Sequence, residues 1–160
     1  MATIKSFTSL EQSKKLTEVL PLESADMRYG YIAPYDYSDR MYDGGYDKIP
    51  YPKDFLIKNP NFSANEYDAE LPCWSLAALM NMLPSEFTEK GKYSETTYKI
   101  DIRKYALTDD VDIYQIAYGN YKFYEDGNSS WKDMISTSQK ENLLDVAFEM
   151  ICWLKKEEHI

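Results

Sequence analysis

The chain has 160 residues, 44% hydrophobic and 28% charged, a balance suited to one globular domain over residues 1–160 that closes its own core without a disulfide or metal staple. A net charge of −9, negative in both halves and with only three arginines, argues against nucleic acid or an anionic membrane as partner, because both are held chiefly by Lys and Arg. A mean hydropathy of −0.57, with no apolar run approaching about 18 residues, excludes a spanning helix.

No apolar leader opens the sequence, so a cytoplasmic setting is expected. The first helix is expected to begin at Thr8 or Ser9. Thr8 with Glu11 and Ser9 with Gln12 each fit a capping box, and Pro21 ends the segment. Ser24–Met27 reads as a further helical turn or a tight connection, and Met27–Ile32 as a short strand. Residues 28–70 are irregular. Tyr29, Tyr31, Tyr35, Tyr37, Tyr42, Tyr46 and Tyr51 alternate there with Pro and Gly, which predicts ordered loop with short extended pieces. Leu71–Pro84 reads as one helix, with Pro72 in its first turn and Pro84 stopping it. Trp74, Leu76, Ala77, Leu79, Met80, Met82 and Leu83 leave it almost no polar face, so it is expected at the centre of the core.

Residues 97–125 read as an antiparallel meander of about three strands. Tyr98, Ile100 and Ile102 alternate with charged residues, Leu107–Asp110 makes one turn, and Gly119-Asn120 suits a two-residue hairpin. That turn would place Tyr114, Ile116, Tyr118, Tyr121 and Phe123 on one core-facing side. The last helix is predicted over 139–157. Ser138 and Glu141 would form its capping box, a broad arc from Leu143 to Leu154 would face the sheet, and Glu141, Asp145, Glu149 and Lys156 would face water. The expected fold is therefore α+β: a small meander packed against a central buried helix and a long C-terminal one.

Catalytic chemistry is thinly supplied. The single histidine, His159, leaves no Ser-His-Asp or Cys-His set, no phosphate loop is present, and Cys73 and Cys152 are too few for a zinc site. The two cysteines are expected as buried reduced thiols, with a disulfide between packed helices as the alternative. Neither cofactor nor metal is expected. Asp109, Asp110 and Asp112 read as a solvated turn, with a hard cation gathered by them as the alternative. Recognition has a clearer signal. Tyr35, Tyr37, Arg40 and Tyr42 join large, low-entropy rings to an arginine, a mixture favoured at binding surfaces, and an irregular tyrosine core layer is the plainer reading.

Three segments taken together, Leu10–Leu16 with Ser24–Met27, then Pro72–Leu79, then Asn142–Leu154, resemble a family of small uncharacterised proteins of Bacteroidetes genomes and their phages and mobile elements. The resemblance implies a soluble, cytoplasmic protein in a gut-bacterial or phage setting and brings no catalytic residue with it. The expectation is a non-enzymatic protein-interaction module, an accessory protein of a phage or mobile element, with an unknown protein partner or a second copy of itself. A small-ligand-binding protein or a carboxylate-dependent hydrolase is the alternative.

Overall fold

The structure, a computed structural model, describes residues 5–30, 32–34, 49–54, 58, 62–64 and 71–160. Its contacts separate two compact units, Phe7–Ala78 and Met1–Ser6 with Leu79–Ile160. The α+β expectation holds, with more strands than the sequence predicts.

In the first unit, helix α1 spans Leu10–Thr17. Ser9 caps it: its hydroxyl accepts the Gln12 N–H at 3.2 Å and the Gln12 side chain accepts the Ser9 N–H at 3.0 Å. Glu11 in the first turn and Lys14 and Lys15 in the last complement the helix dipole. A single 3-10 turn, Leu22–Ser24, follows Pro21. Strand β1 (Met27–Gly30) lies between two edges, with β2 (Ile32–Pro34) next in the chain and β3 (Ile49–Pro52) on one side of β1. After β4 (Phe62–Ala64), β5 (Leu71–Cys73) covers the other side of β1. Pro50, Pro52 and Pro72 all fall on these edge strands, where a residue without an N–H leaves no inner ladder broken. β2 pairs with β4 in a separate two-stranded sheet.

Leu71–Pro84 is therefore not one helix. Leu71–Cys73 extend as β5, and helix α2 covers only Leu76–Met82. Asp26 explains the break: its carboxylate accepts both the Ser75 N–H at 2.8 Å and the Ser75 hydroxyl at 2.5 Å, while the Ser75 oxygen accepts the Ala78 N–H. The residue between strand and helix is thus fixed as a cap. Ala77 is exposed, so α2 is also not buried all round.

A satisfied polar knot holds this unit together. Thr8 donates its N–H to the Trp74 carbonyl, and its hydroxyl accepts the Trp74 N–H at 3.1 Å and meets the Ser13 hydroxyl at 2.7 Å. The Thr8 carbonyl accepts the Tyr29 hydroxyl at 2.6 Å, and the Trp74 indole donates to Ser24 at 2.9 Å. Thr8, Ser13, Tyr29, Cys73 and Trp74 are all buried. Burial pushes the Tyr29 hydroxyl up to about 12 and raises the Cys73 thiol as well. Both cysteines are thiols outside any disulfide, Cys73 buried and Cys152 half-buried.

The second unit is a four-stranded antiparallel sheet in chain order: β6 (Glu86–Lys90), β7 (Glu95–Thr108), β8 (Val111–Phe123) and β9 (Ser129–Ser136). It extends beyond the predicted 97–125 at both ends. The turn at Asp109-Asp110 is where the sequence places it; the turn at Gly119-Asn120 is absent, and β8 runs straight through. Gly119 is there for close approach instead: a Cβ would lie 2.4 Å from the Lys132 carbonyl oxygen and 2.8 Å from the Trp131 indole. The register shifts beside it, between Tyr118 and Gly119.

Helix α3 (Leu143–Lys156) packs on β8 and buries Leu144, Val146, Ala147, Met150, Ile151 and Leu154. It starts later than 139. Asn142, not Ser138, is the cap, accepting the Leu144 N–H at 3.0 Å. Ser138 instead donates its N–H and hydroxyl to Glu149, both at 2.7 Å. Glu149, expected to face water alone, is drawn back along the helix by Ser138 and by Lys140 at 3.1 Å. Under α3, Phe87 contacts Tyr98, Tyr118 and Trp153, and His159 stacks on it at 4.1 Å.

Candidate functional site

Because β8 does not turn at Gly119, its alternation carries on unbroken. Ile116 and Tyr118 point to the α3 side and are buried, whereas Tyr121 and Phe123 fall on the opposite face with Ala117 and Gly119. The expectation of all five rings and aliphatics on one core face is corrected accordingly. Tyr121 is 60% exposed and Phe123 83%.

The register places Asp101, Arg103 and Tyr105 from β7 and Trp131 and Asp133 from β9 on this same outer face. Arg103 is its anchor. The guanidinium donates to both Asp133 oxygens, from Nη1 at 2.8 Å and Nη2 at 2.5 Å, and from Nε to Asp101 at 2.6 Å. The Trp131 indole N–H donates to Asp133 Oδ1 at 2.7 Å. A planar fork matched to one carboxylate and braced by a second has little freedom left. The Asp133 hydrogen bonds raise the guanidinium further above its already high value. In turn, Arg103 holds the Asp133 carboxyl below the usual carboxylate range despite partial burial.

Gly119 completes the geometry. Without a side chain, it lets the Trp131 ring lie down on the sheet, and Tyr121 meets that ring edge-on, with centroids 5.3 Å apart and planes at 82°. The Tyr105 hydroxyl reaches Gln115 at 3.4 Å, and Gln115 donates to the Thr137 carbonyl at 2.9 Å. The outcome is a face with a fixed, half-buried Arg–Asp–Trp centre and exposed rings beside it. It can bind by surface contact. Arg103 holds the Asp133 carboxyl ionised, which suits it poorly to proton donation near neutral pH.

The tyrosine-rich candidates Tyr35, Tyr37, Arg40 and Tyr42 lie outside the described residues. Tyr29 and Tyr51 from the same segment are described, and both are buried. Asp109 and Asp110 form the exposed β7–β8 turn, and Asp112 pairs with Lys104 at 2.7 Å. Among the described residues no group of three or more His, Cys, Asp or Glu side chains is placed to hold a metal ion, and no helix is long and apolar enough to cross a membrane.

Sequence reasoning missed Arg103, Asp133 and Trp131. One signal was available: Trp131 and Asp133 sit two apart, as do Asp101 and Arg103, the spacing that puts strand residues on one face. Comparisons with protein-family models, with curated proteins and with solved structures return no match to this chain.

Proposed function

We propose that this chain is a non-enzymatic interaction module that docks a protein partner on the outer face of its four-stranded sheet. The observation that carries the reading is the pairing of exposed Tyr121 and Phe123 with a Trp131 already immobilised by Asp133 and Gly119. Aromatic and arginine side chains dominate binding energy at protein interfaces, and a ring fixed before binding loses little further entropy. In the phage or mobile-element setting that the resemblance implies, the partner is a host protein of the cytoplasm.

The test is cross-linked affinity capture from a bacterial lysate with wild type, with Tyr121→Ser/Phe123→Ser, and with Tyr93→Ser as control. Tyr93 is more exposed than either face residue, at 88%, and lies in the β6–β7 turn. The expected result is a protein captured by wild type and by the Tyr93 variant and depleted about tenfold or more, near 1.4 kcal/mol, in the double variant. Identical capture by all three overturns the reading. So does a homodimer, seen by light scattering, that the double variant abolishes, since the face would then be taken by a second copy.

A further inference from the structure

A cavity of about 430 Å³ opens on the opposite, α3-facing side of the same sheet, at the end where β8 runs toward β9. Its walls are alternate strand positions: Thr96 and Tyr98 from β7, Asn120 and Lys122 from β8, and Lys132 and Met134 from β9. Asn120 is directly opposite Lys132 in the ladder and Lys122 opposite Ser130, so the two lysines sit diagonally on one face. Asp133 also borders the cavity, but its carboxylate is committed to Arg103 and Trp131.

The charge here runs against the whole. In a chain of net charge −9, two lysines line one concavity, and among the described residues neither forms an ion pair. Lys5, Lys104 and Lys140 of the same unit, by contrast, each sit against a carboxylate, while Lys92, Lys99 and Lys155 share the lack of an ion pair among the described residues but do not line this cavity. On the same sheet face, Glu89 lies 3.7 Å from the His159 ring nitrogen.

We propose that this cavity is a binding site for a small organic phosphate, with Lys122 and Lys132 taking the phosphate group. A phosphate monoester is close to a dianion at neutral pH, which matches two ammonium groups where a carboxylate would match one. Lysine binds phosphate as a point charge without demanding planar geometry. Asn120 and Thr96 supply neutral hydrogen-bonding groups, and the Tyr98 ring with Met134 supplies an apolar wall for the organic part. The volume falls in the range of about 300–1,000 Å³ typical of small-molecule sites. Apart from the shared border at Asp133, this site lies on the other face of the sheet from the aromatic rings, and its phosphate contacts do not depend on them.

The experiment is an amide-resolved NMR titration at low ionic strength, where exposed charges are least screened, with phenyl phosphate, inorganic phosphate, benzoate and sodium chloride as probes. Phenyl phosphate is expected to give saturable shifts at Thr96, Asn120, Lys122 and Lys132, with Kd on the order of millimolar. Inorganic phosphate should bind more weakly, and benzoate more weakly still. Lys122→Gln/Lys132→Gln, at two exposed positions, should weaken phenyl phosphate about tenfold or more. Lys155→Gln/Lys156→Gln, with the same change in net charge, should leave it unaltered. Three outcomes would overturn the proposal: unchanged binding in the first variant, benzoate binding as tightly as phenyl phosphate, or shifts that sodium chloride reproduces at matched ionic strength.

Discussion

The two units use the same residue types to opposite ends. Among the described residues of Phe7–Ala78, Thr8, Ser13, Tyr29 and Trp74 turn inward and close a buried network. In the unit built on Leu79–Ile160, one side of the sheet closes around Tyr118, Phe87 and Trp153, while the other leaves Tyr121 and Phe123 in water beside the Arg103–Asp133 pair. A buried polar group must find its partners within the protein, because leaving one unmet is costly. An exposed ring has no such obligation and is free to meet a ligand. The contrast separates side chains that hold the fold from side chains available for function, and it can be tested at matched positions in each unit.

The largest difference is expected between two glycines. Gly119→Ala would drive a Cβ to 2.4 Å from a backbone oxygen, which only movement of β9 relieves. The expected loss is about 3 kcal/mol, read by urea unfolding, with early hydrogen exchange along Ser129–Ser136. Gly30→Ala meets only the outer edge of the Tyr51 ring, at 3.1–3.2 Å. A side chain that shifts by a few tenths of an ångström limits that loss to about 1 kcal/mol. Equal losses would mean that β9 adapts as readily as a ring does, and that the Trp131 platform is not rigid.

Gly119 also marks where the sequence was readable and where it was not. The Ser9–Gln12 capping box, the Asp109-Asp110 turn and the apolar arc of α3 rest on local chemistry, and the structure carries all three. Gly119-Asn120 carries the same local signal as a hairpin, but the glycine serves a close contact with Trp131, twelve residues on, that no local pattern encodes. A turn there would put Tyr121 and Phe123 on the core face, and the continuous strand puts them on the other. Leu71–Pro84 failed for a related reason. A short apolar run fits strand and helix alike, and Asp26, forty-nine positions away from Ser75, decides between them. Pairing across such distances also hid the outer face: Arg103 and Asp133 are thirty positions apart and meet only through the β7–β8–β9 ladder.

A second comparison sets a buried threonine against an exposed one. Thr8→Val keeps the shape but removes the oxygen that accepts the Trp74 N–H, leaving a buried donor unmet. A loss of about 2 kcal/mol is expected from chemical denaturation. Thr88→Val removes a hydroxyl that meets Thr97 at 3.0 Å on an exposed part of the sheet, where water replaces the bond. That change should stay within about 0.5 kcal/mol. A Thr8 variant as stable as the Thr88 variant would show that the knot is not what holds α1 to β5.

The smallest effect concerns pH and tests the anchor of the outer face directly. Arg103 holds the Asp133 carboxyl below its ordinary value of 3.8 in the folded chain, whereas the unfolded chain returns it there. The folded state therefore binds the proton less readily, and the stabilisation is fully present above about pH 4. It is lost as the pH falls through the depressed folded value. Glu149 acts in the same direction: burial alone would raise its carboxyl, but Ser138 and Lys140 outweigh that and lower it. Acid sensitivity by itself would not distinguish the two, and the difference between wild type and Asp133→Asn does. The amide still offers Trp131 an acceptor but carries no charge for Arg103. Wild type should exceed the variant by about 1 kcal/mol near neutral pH, an allowance that reflects partial solvent screening of the pair. The gap should close as both are taken toward about pH 2. A gap that stays constant with pH would mean that shape and hydrogen bonding, not charge, fix Trp131, and the face would then present its rings without an electrostatic anchor.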